Sequence, residues 1–225
     1  MRPPLWKRWL SYIKEVHLED ASSSINPELH VSLVKGRCQL YTHNAIYSFE
    51  DLYANYYKAF GRIPLRRLEI DHMLVLGLGL GSIPWMLERS FSRRYYYTAV
   101  ELDENVAYLA QKYALSELSS SVEIVLADAS LFVAQTEQRF DLIAMDIFQD
   151  DEIPPKFEEI GFLEDLRRLV APGGLLMYNR LSRTARDLSA TRTFFEGPFR
   201  TVFPEASYFD LRGNWMLFNR NPLEA

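Results

Sequence analysis

From His72 onward the chain repeats one pattern: a short continuous apolar run, then a segment whose apolar residues fall three and four apart. The runs are His72 to Leu76, Tyr95 to Val100, Val122 to Leu126, Phe140 to Met145 and Leu175 to Asn179. The segments between them read as helices over Ile83 to Arg89, Glu104 to Tyr113, Ser130 to Thr136 and Phe157 to Val170. Strands that are apolar throughout must be covered on both faces, and a helix after each strand supplies the crossover that parallel pairing requires. The last part breaks the alternation. A helix from Leu188 to Phe203, interrupted near Gly197-Pro198, precedes Ala206 to Leu211 and Trp215 to Asn219, which are separated only by Arg212-Gly213-Asn214. So short a link implies an antiparallel pair. The expected fold class is α/β, with a seven-stranded, mostly parallel sheet and one antiparallel strand near its end.

The first 64 residues read differently and are assigned to a separate N-terminal part, with 65–225 as the main domain. Residues 5–14 place Trp6, Trp9, Leu10 and Ile13 near one face of a short amphipathic helix, expected to pack on the body, with a membrane-surface role as the alternative. A polar loop from Ala21 to Pro27 follows, then a β-hairpin from Leu29 to Tyr41 about Lys35-Gly36. Ser48 with Asp51 three residues on resembles a capping box, opening a helix that carries Leu52, Tyr56, Ala59 and Phe60 and ends by Gly61 and Pro64. The aromatic set Tyr47, Phe49, Tyr53, Tyr56 and Tyr57 is expected to serve core or association contacts, with a substrate wall as the alternative.

The turn Gly77-Leu78-Gly79-Leu80-Gly81 closes the first of these strands, and Glu101 lies at the tip of the second. Glycines on alternate positions allow a tight turn and a close approach of backbone to ligand, because a side chain there would fill the ligand's space. A carboxylate about 20 residues beyond such a turn accepts the hydroxyl hydrogens of a ribose. The pair therefore predicts a nucleoside site. Asp128 and Asp146, at the ends of the third and fourth strands, stand where ligands bind in parallel sheets.

Composition narrows the partners. A formal charge of −5 supplies no field for holding nucleic acid, and the small arginine clusters at 66–67 and 89–94 read as solvated. Cys38 is the only cysteine, so neither an intramolecular disulfide nor a thiolate metal cluster can form, and a reducing, cytoplasmic setting is expected. No apolar run reaches the ~18 residues of a membrane span. Asp150, Asp151 and Glu152 form an acidic loop with no histidine nearby, so no metal site is assigned.

The glycine turn, Glu101, Asp128-Ala129, Asp146 and the terminal hairpin together resemble the Rossmann-like fold of class I S-adenosylmethionine-dependent methyltransferases. The segment from Phe140 to Pro154, Phe162 to Leu166, Leu169 to Gly174 and the early hairpin are similar to the spermidine synthase, or aminopropyltransferase, branch. The likeness spans about residues 29–219. It implies S-adenosylmethionine or its decarboxylated form as cofactor, with Gly77, Gly79 and Gly81 beneath its tail. It further implies Glu101 on the ribose, Asp128 and the Ala129 backbone on the adenine edge, and Asp146 as the acid that orients an attacking amine and takes its proton. Tyr47 and Asp150 are the substrate-side candidates, and His43 adjoins the region that covers the site in that branch. A small-molecule acceptor and a homodimer are the partners implied.

The chain also departs from that branch. Spermidine synthases carry an aspartate where Leu80 stands, facing the ammonium of decarboxylated S-adenosylmethionine. Their second aspartate and proline follow the catalytic acid sooner than Asp150 and Pro154 do. Asn44, Tyr47 and Glu50 only loosely match their polyamine-binding tyrosine and acid. Losing a charge-assisted contact to a desolvated ammonium costs about 1.5–3 kcal/mol. The expectation is therefore a transferase of an alkyl group, aminopropyl or methyl, to a small nucleophile, with two alternatives: a methyltransferase of unknown acceptor, and a non-catalytic spermidine synthase-like binding protein.

Overall fold

In a computed structural model, residues 3–42, 46–149 and 152–224 are described. The N-terminal part opens with helix α1 (Leu5–Leu10), followed by β1 (Val16–Ala21), β2 (Leu29–Val34), β3 (Arg37–Tyr41) and β4 (Ile46–Ser48), paired in that order as an antiparallel sheet. The expected hairpin is thus the middle of a four-stranded sheet. Its turn is as read, with Lys35 and Gly36 both at positive φ. β1 escapes a sequence reading because its outer positions, His17, Glu19 and Asp20, are polar and a bulge breaks its register. β4 is too short to show a period.

Two expectations for this part are corrected, the second in part. Ser48 caps no helix: it ends β4, and its hydroxyl shares a 2.6 Å hydrogen bond with Ser82. A 3-10 turn (Glu50–Leu52) intervenes before α2 (Ala54–Phe60) begins, with no side-chain cap. Helix α1 buries none of its residues; Leu5, Trp6, Trp9, Tyr12 and Ile13 are 60–86% exposed. The segment still packs on the body through Leu10, against the cluster under the small sheet, and is held through Ser11, whose hydroxyl accepts from Gly36 N and whose carbonyl accepts from Lys35 N.

The main sheet contains β5 (His72–Leu76), β6 (Tyr96–Glu101), β7 (Val122–Leu126), β8 (Phe140–Met145), β9 (Val170–Leu181), β10 (Ser207–Asp210) and β11 (Asn214–Phe218), in the order β10-β11-β9-β8-β5-β6-β7. All pairs from β9 to β7 are parallel, and β11 runs against both neighbours. The single reversed strand is therefore β11, as the short 212–214 link implies. Helices α3 (Ser82–Arg89), α4 (Glu104–Tyr113), α5 (Ala129–Gln135), α6 (Ile160–Leu169) and α7 (Ala185–Phe194) occupy the connections. Residues 171–174, read as a stop after a helix, lie inside β9: Val170 pairs with Phe140, the register shifts, and Leu175 resumes opposite Leu142.

Alternation along the strands sorts side chains into two cores. Met73, Val75, Ala99, Leu142, Ala144 and Met216 face α2, α3 and part of α4, whereas Leu74, Leu76, Val100, Ile143, Leu176 and Leu217 face α5, α6 and α7. A third cluster joins the small sheet to the large one: Leu29, Val31, Leu33 and Leu40 pack with Val106 and Leu109 of α4 and with Leu80.

The glycines of the turn have a reason other than space for a ligand. A Cβ on Gly77, at φ +86°, would lie 2.6 Å from the Asp146 carbonyl oxygen; on Gly79, at φ +54°, it would meet the Tyr47 carbonyl and Ser48 at 3.1 Å. Chain packs on chain there. Replacing Gly77 by Ala is expected to lower stability by at least about 2 kcal/mol, since both the positive φ and the backbone clash oppose it. Gly161→Ala, in α6 with open space around its Cβ, should instead raise stability by about 0.5–1 kcal/mol. Urea unfolding of both variants checks the pair.

Candidate functional site

A cavity of about 700 Å³ lies over the carboxyl ends of the parallel strands, a size suited to a small ligand. Strand order sets its layout. Asp128 stands past the end of β7, Glu101 at the end of β6, Gly77 and Gly79 past β5, Asp146 past β8, and Asn179 near the end of β9. The small sheet closes the opposite side through Ile46, Tyr47 and Ser48 of β4, with Asn26 from the β1–β2 loop.

Glu101 is held by backbone. Its Oε2 accepts from Leu78 N at 3.1 Å, and its Oε1 from Leu102 N at 2.9 Å and Asp103 N at 3.0 Å. Burial pushes its carboxyl above the ordinary range, against the pull of these amides. A carboxylate so clamped presents its remaining lone pairs to the cavity in a fixed direction. Asp103, one turn further, caps α4 by accepting from Asn105 N and Val106 N, and also receives Asn26. Asn26 in turn accepts from the Tyr47 hydroxyl at 3.0 Å, which ties the cavity's lid side to its floor.

Asp128 caps α5, accepting from Ser130 N and Oγ at 2.8 and 2.6 Å, and its other oxygen pairs with Lys156. Burial works against its ionisation, but Lys156 and Ser130 prevail and hold it down to about 2. It is an anion at any physiological pH. Ala129 beside it is buried and also lines the cavity. Lys156 has no signal of its own in the sequence, because its meeting with Asp128 spans 28 residues and depends on the loop before α6.

Asp146 is also strongly perturbed, and upward. Its Oδ1 accepts from Asn179 Nδ2 at 2.8 Å and from the Tyr53 hydroxyl at 3.2 Å, while Asn214 Nδ2 donates to Asn179 Oδ1 at 2.9 Å. Burial raises its pKa to about 6 in spite of these donors. Both hydrogen bonds fall on one oxygen, leaving the second available to a ligand. Tyr56, fully buried beneath Tyr53, donates to the carbonyls of Met145 and Met177 and fixes α2 over the ends of β8 and β9. A carboxyl that titrates near 6, faces a cavity and keeps an open oxygen is suited to receive a proton.

The remaining candidates divide. Tyr47, Phe49 and Tyr53 line the cavity, Tyr56 is core and Tyr57 is 42% exposed, so the aromatic set is split between roles. Gly77 and Gly79 line the cavity, but Gly81 does not: it is the left-handed cap of α3, over Leu115. Leu80 is also absent from the wall, since its side chain turns into the cluster under the small sheet. Glu50 lies outside the cavity, where it accepts from Cys38 N and burial raises it to about 7. Asp150, His43 and Asn44 fall outside the described residues. Asn214, Lys156 and Arg183 enter the wall without having been singled out in the sequence. Among the described residues no helix is long and apolar enough to cross a membrane.

Sheet order and the reversed β11 match the Rossmann-like architecture of class I S-adenosylmethionine-dependent methyltransferases. No family model matches the sequence. The polyamine aminopropyltransferase of Vibrio vulnificus (strain CMCP6) is 27% identical over 144 residues, covering 63% of this chain and 46% of that protein. The chain thus spans about half the length of that relative. Human methyltransferase-like protein 13, solved with S-adenosylhomocysteine, has a TM-score of 0.58 at 26% identity, covering 71% of this chain and 76% of that one. A spermidine synthase bound to the transition-state analogue AdoDATO has a TM-score of 0.73 at 16% identity, covering 93% and 76%. By sequence and fold the chain is a divergent, spermidine synthase-like relative of these proteins.

The Tyr53–Asp146 contact yields a direct test. Tyr53→Phe deletes one of two donors that favour the carboxylate, so the Asp146 pKa should move further up. Infrared titration of the carboxyl band, compared between wild type and variant, reads the direction.

Proposed function

We propose that this chain binds an S-adenosylmethionine-type nucleoside and transfers an alkyl group, methyl or aminopropyl, to a small nucleophile, an amine by preference. The observation that carries this reading is the convergence of Asp128, Glu101 and Asp146 on one cavity, in the order along the strand ends that adenine, ribose and reacting centre demand. Glu101 would accept the ribose hydroxyls. Asp128 and the Ala129 amide would take the adenine edge, with Lys156 giving up or sharing its place on Asp128. The nucleoside, S-adenosylmethionine or its decarboxylated form, would supply an activated carbon on a sulfonium. Residues of the chain do the rest.

An amine attacks carbon only as its free base. As its lone pair forms the C–N bond, the C–S electrons leave with sulfur, and the nitrogen must lose a proton. Asp146 would orient that nitrogen through its open oxygen and receive the proton, held in place by Asn179 and Tyr53. Tyr47, in the cavity wall, would contact the acceptor or the nucleoside tail. Association into a dimer and a cytoplasmic setting belong to the same reading. They are checked by light scattering and by fractionation.

Calorimetric titration with S-adenosylmethionine, decarboxylated S-adenosylmethionine and methylthioadenosine tests the nucleoside claim, which fails if none binds. Asp146→Asn should leave nucleoside affinity nearly intact and reduce turnover by about 10²–10⁴-fold. Equal loss of both would remove Asp146 from the chemistry. The pH dependence has a fixed sign. Asp146 is the base only when ionised, so turnover should fall as pH drops through about 6, and this limb should vanish in Asp146→Asn. The same raised pKa means that Asp146 stabilises the fold fully below its unfolded value of 3.8, a contribution lost as pH rises through about 6.

A further inference from the structure

The two ends of the cavity differ in charge. At the nucleoside end, Asp128 has its cation, Lys156, and Glu101 has its amides. On the β9 and β11 side of Asp146 the cavity is lined by Asn179, Leu181, Arg183 and Asn214, with Asn55 from α2. No second carboxylate is present among these residues. A diamine that places one nitrogen on Asp146 keeps a second ammonium some distance away, and that charge needs an acceptor. The group found there is a cation.

Arg183 is placed by two fixed points. On one side Ser182 N donates to Gly213 O at 2.9 Å, which pins the chain to the β10–β11 turn. On the other, Thr184 opens α7 with a capping box in which Asp187 accepts from Thr184 N at 2.9 Å. Asp187, the acid nearest to Arg183 along this segment, is held by Thr184 in the capping box and also feels the Arg183 backbone and charge, all of which lower its pKa, yet it makes no ion pair with the guanidinium within 4.0 Å. Among the described residues the Arg183 guanidinium has no ion pair within 4.0 Å. Its field also reaches Tyr53, the hydroxyl that donates to Asp146. A guanidinium carried on a fixed stretch of backbone, with donors not engaged by an acid, is matched to a planar carboxylate.

We propose that Arg183 makes the acceptor end a carboxylate subsite: the ligand group lying beyond Asp146 is a carboxylate, on an amino acid-like acceptor or on the amino-acid tail of the nucleoside. This rests on the nucleoside-binding reading above and selects against a simple diamine. It also gives the methyl-transfer version of that reading a physical basis, since S-adenosylmethionine keeps the carboxylate that its decarboxylated form lacks.

The test uses the full chain saturated with methylthioadenosine and two probes of similar length, 4-aminobutanoate and putrescine, which differ in carrying a carboxylate or a second ammonium. Wild type should bind 4-aminobutanoate roughly three- to tenfold more tightly, the modest factor reflecting an exposed arginine at the cavity mouth. Arg183→Gln should erase that preference without changing methylthioadenosine affinity, and Arg183→Lys should keep part of it. A parallel titration compares S-adenosylmethionine with its decarboxylated form. If the former is preferred and Arg183→Gln removes the preference, the carboxylate is the nucleoside's; if wild type binds both equally while discriminating the probes, it is the acceptor's. A preference for putrescine, a preference untouched by Arg183→Gln, or no discrimination in either titration overturns the assignment. Failure of methylthioadenosine itself to bind overturns the nucleoside reading instead, so the two are separable.

Discussion

The close crossing of the β5 and β8 ends is the contact on which the site depends. Asp146 N donates to Leu76 O at 2.9 Å, and Gly77 N donates to Val100 O at 3.0 Å, so three neighbouring strands finish in register. The crossing is possible only because residue 77 has no side chain to meet the Asp146 carbonyl. From this one contact follow the height of Asp146 above the sheet, the path of the glycine turn, and the position of the Leu78 amide that clamps Glu101. The Glu101 end and the Asp146 end of the cavity are therefore geometrically coupled through backbone, not through the flexible side chains of a loop.

The small sheet is part of the same construction. Leu80 carries the glycine turn into a cluster with β2, β3 and α4, and Gly79 lets β4 lie against the turn. Ser48 and Ser82 share a hydrogen bond across that junction. The lid side of the cavity is thus fastened at the turn itself. This changes the meaning of Leu80. An apolar residue at that position lies outside the cavity wall and holds two sheets together.

Much of this was legible in the sequence, for a physical reason. Strands covered on both faces are continuous apolar runs, and helices that cover them carry a 3.6-residue period, so β5 to β8 and α3 to α5 could be located to within a residue or two. Glu101, Asp128 and Asp146 could be named because they are polar residues at the end of apolar strands. The N-terminal part was less legible. β1 and β4 are short or polar on their outer face, Ser48 looks like a cap because its local neighbours fit one, and α1 looks like a fully packed helix because amphipathicity does not say how much partner surface exists. Residues 171–174 read as a turn from glycine and proline, yet the strand passes through them with a bulge.

The sequence by itself determined the layers, the strand sequence with its reversed member, and the acids that tip three strands, because burial and backbone hydrogen bonding dictate those patterns locally. Only the tertiary structure decided which groups meet those acids. Lys156 reaches Asp128 across 28 residues, Tyr53 reaches Asp146 across 93, and Asn179 joins them from a strand brought alongside by the sheet. These distances carry no periodic signal. They arise from the order in which strands pair, and with them come the lowered pKa of Asp128, the raised pKa of Asp146 and the cation at the far end of the cavity.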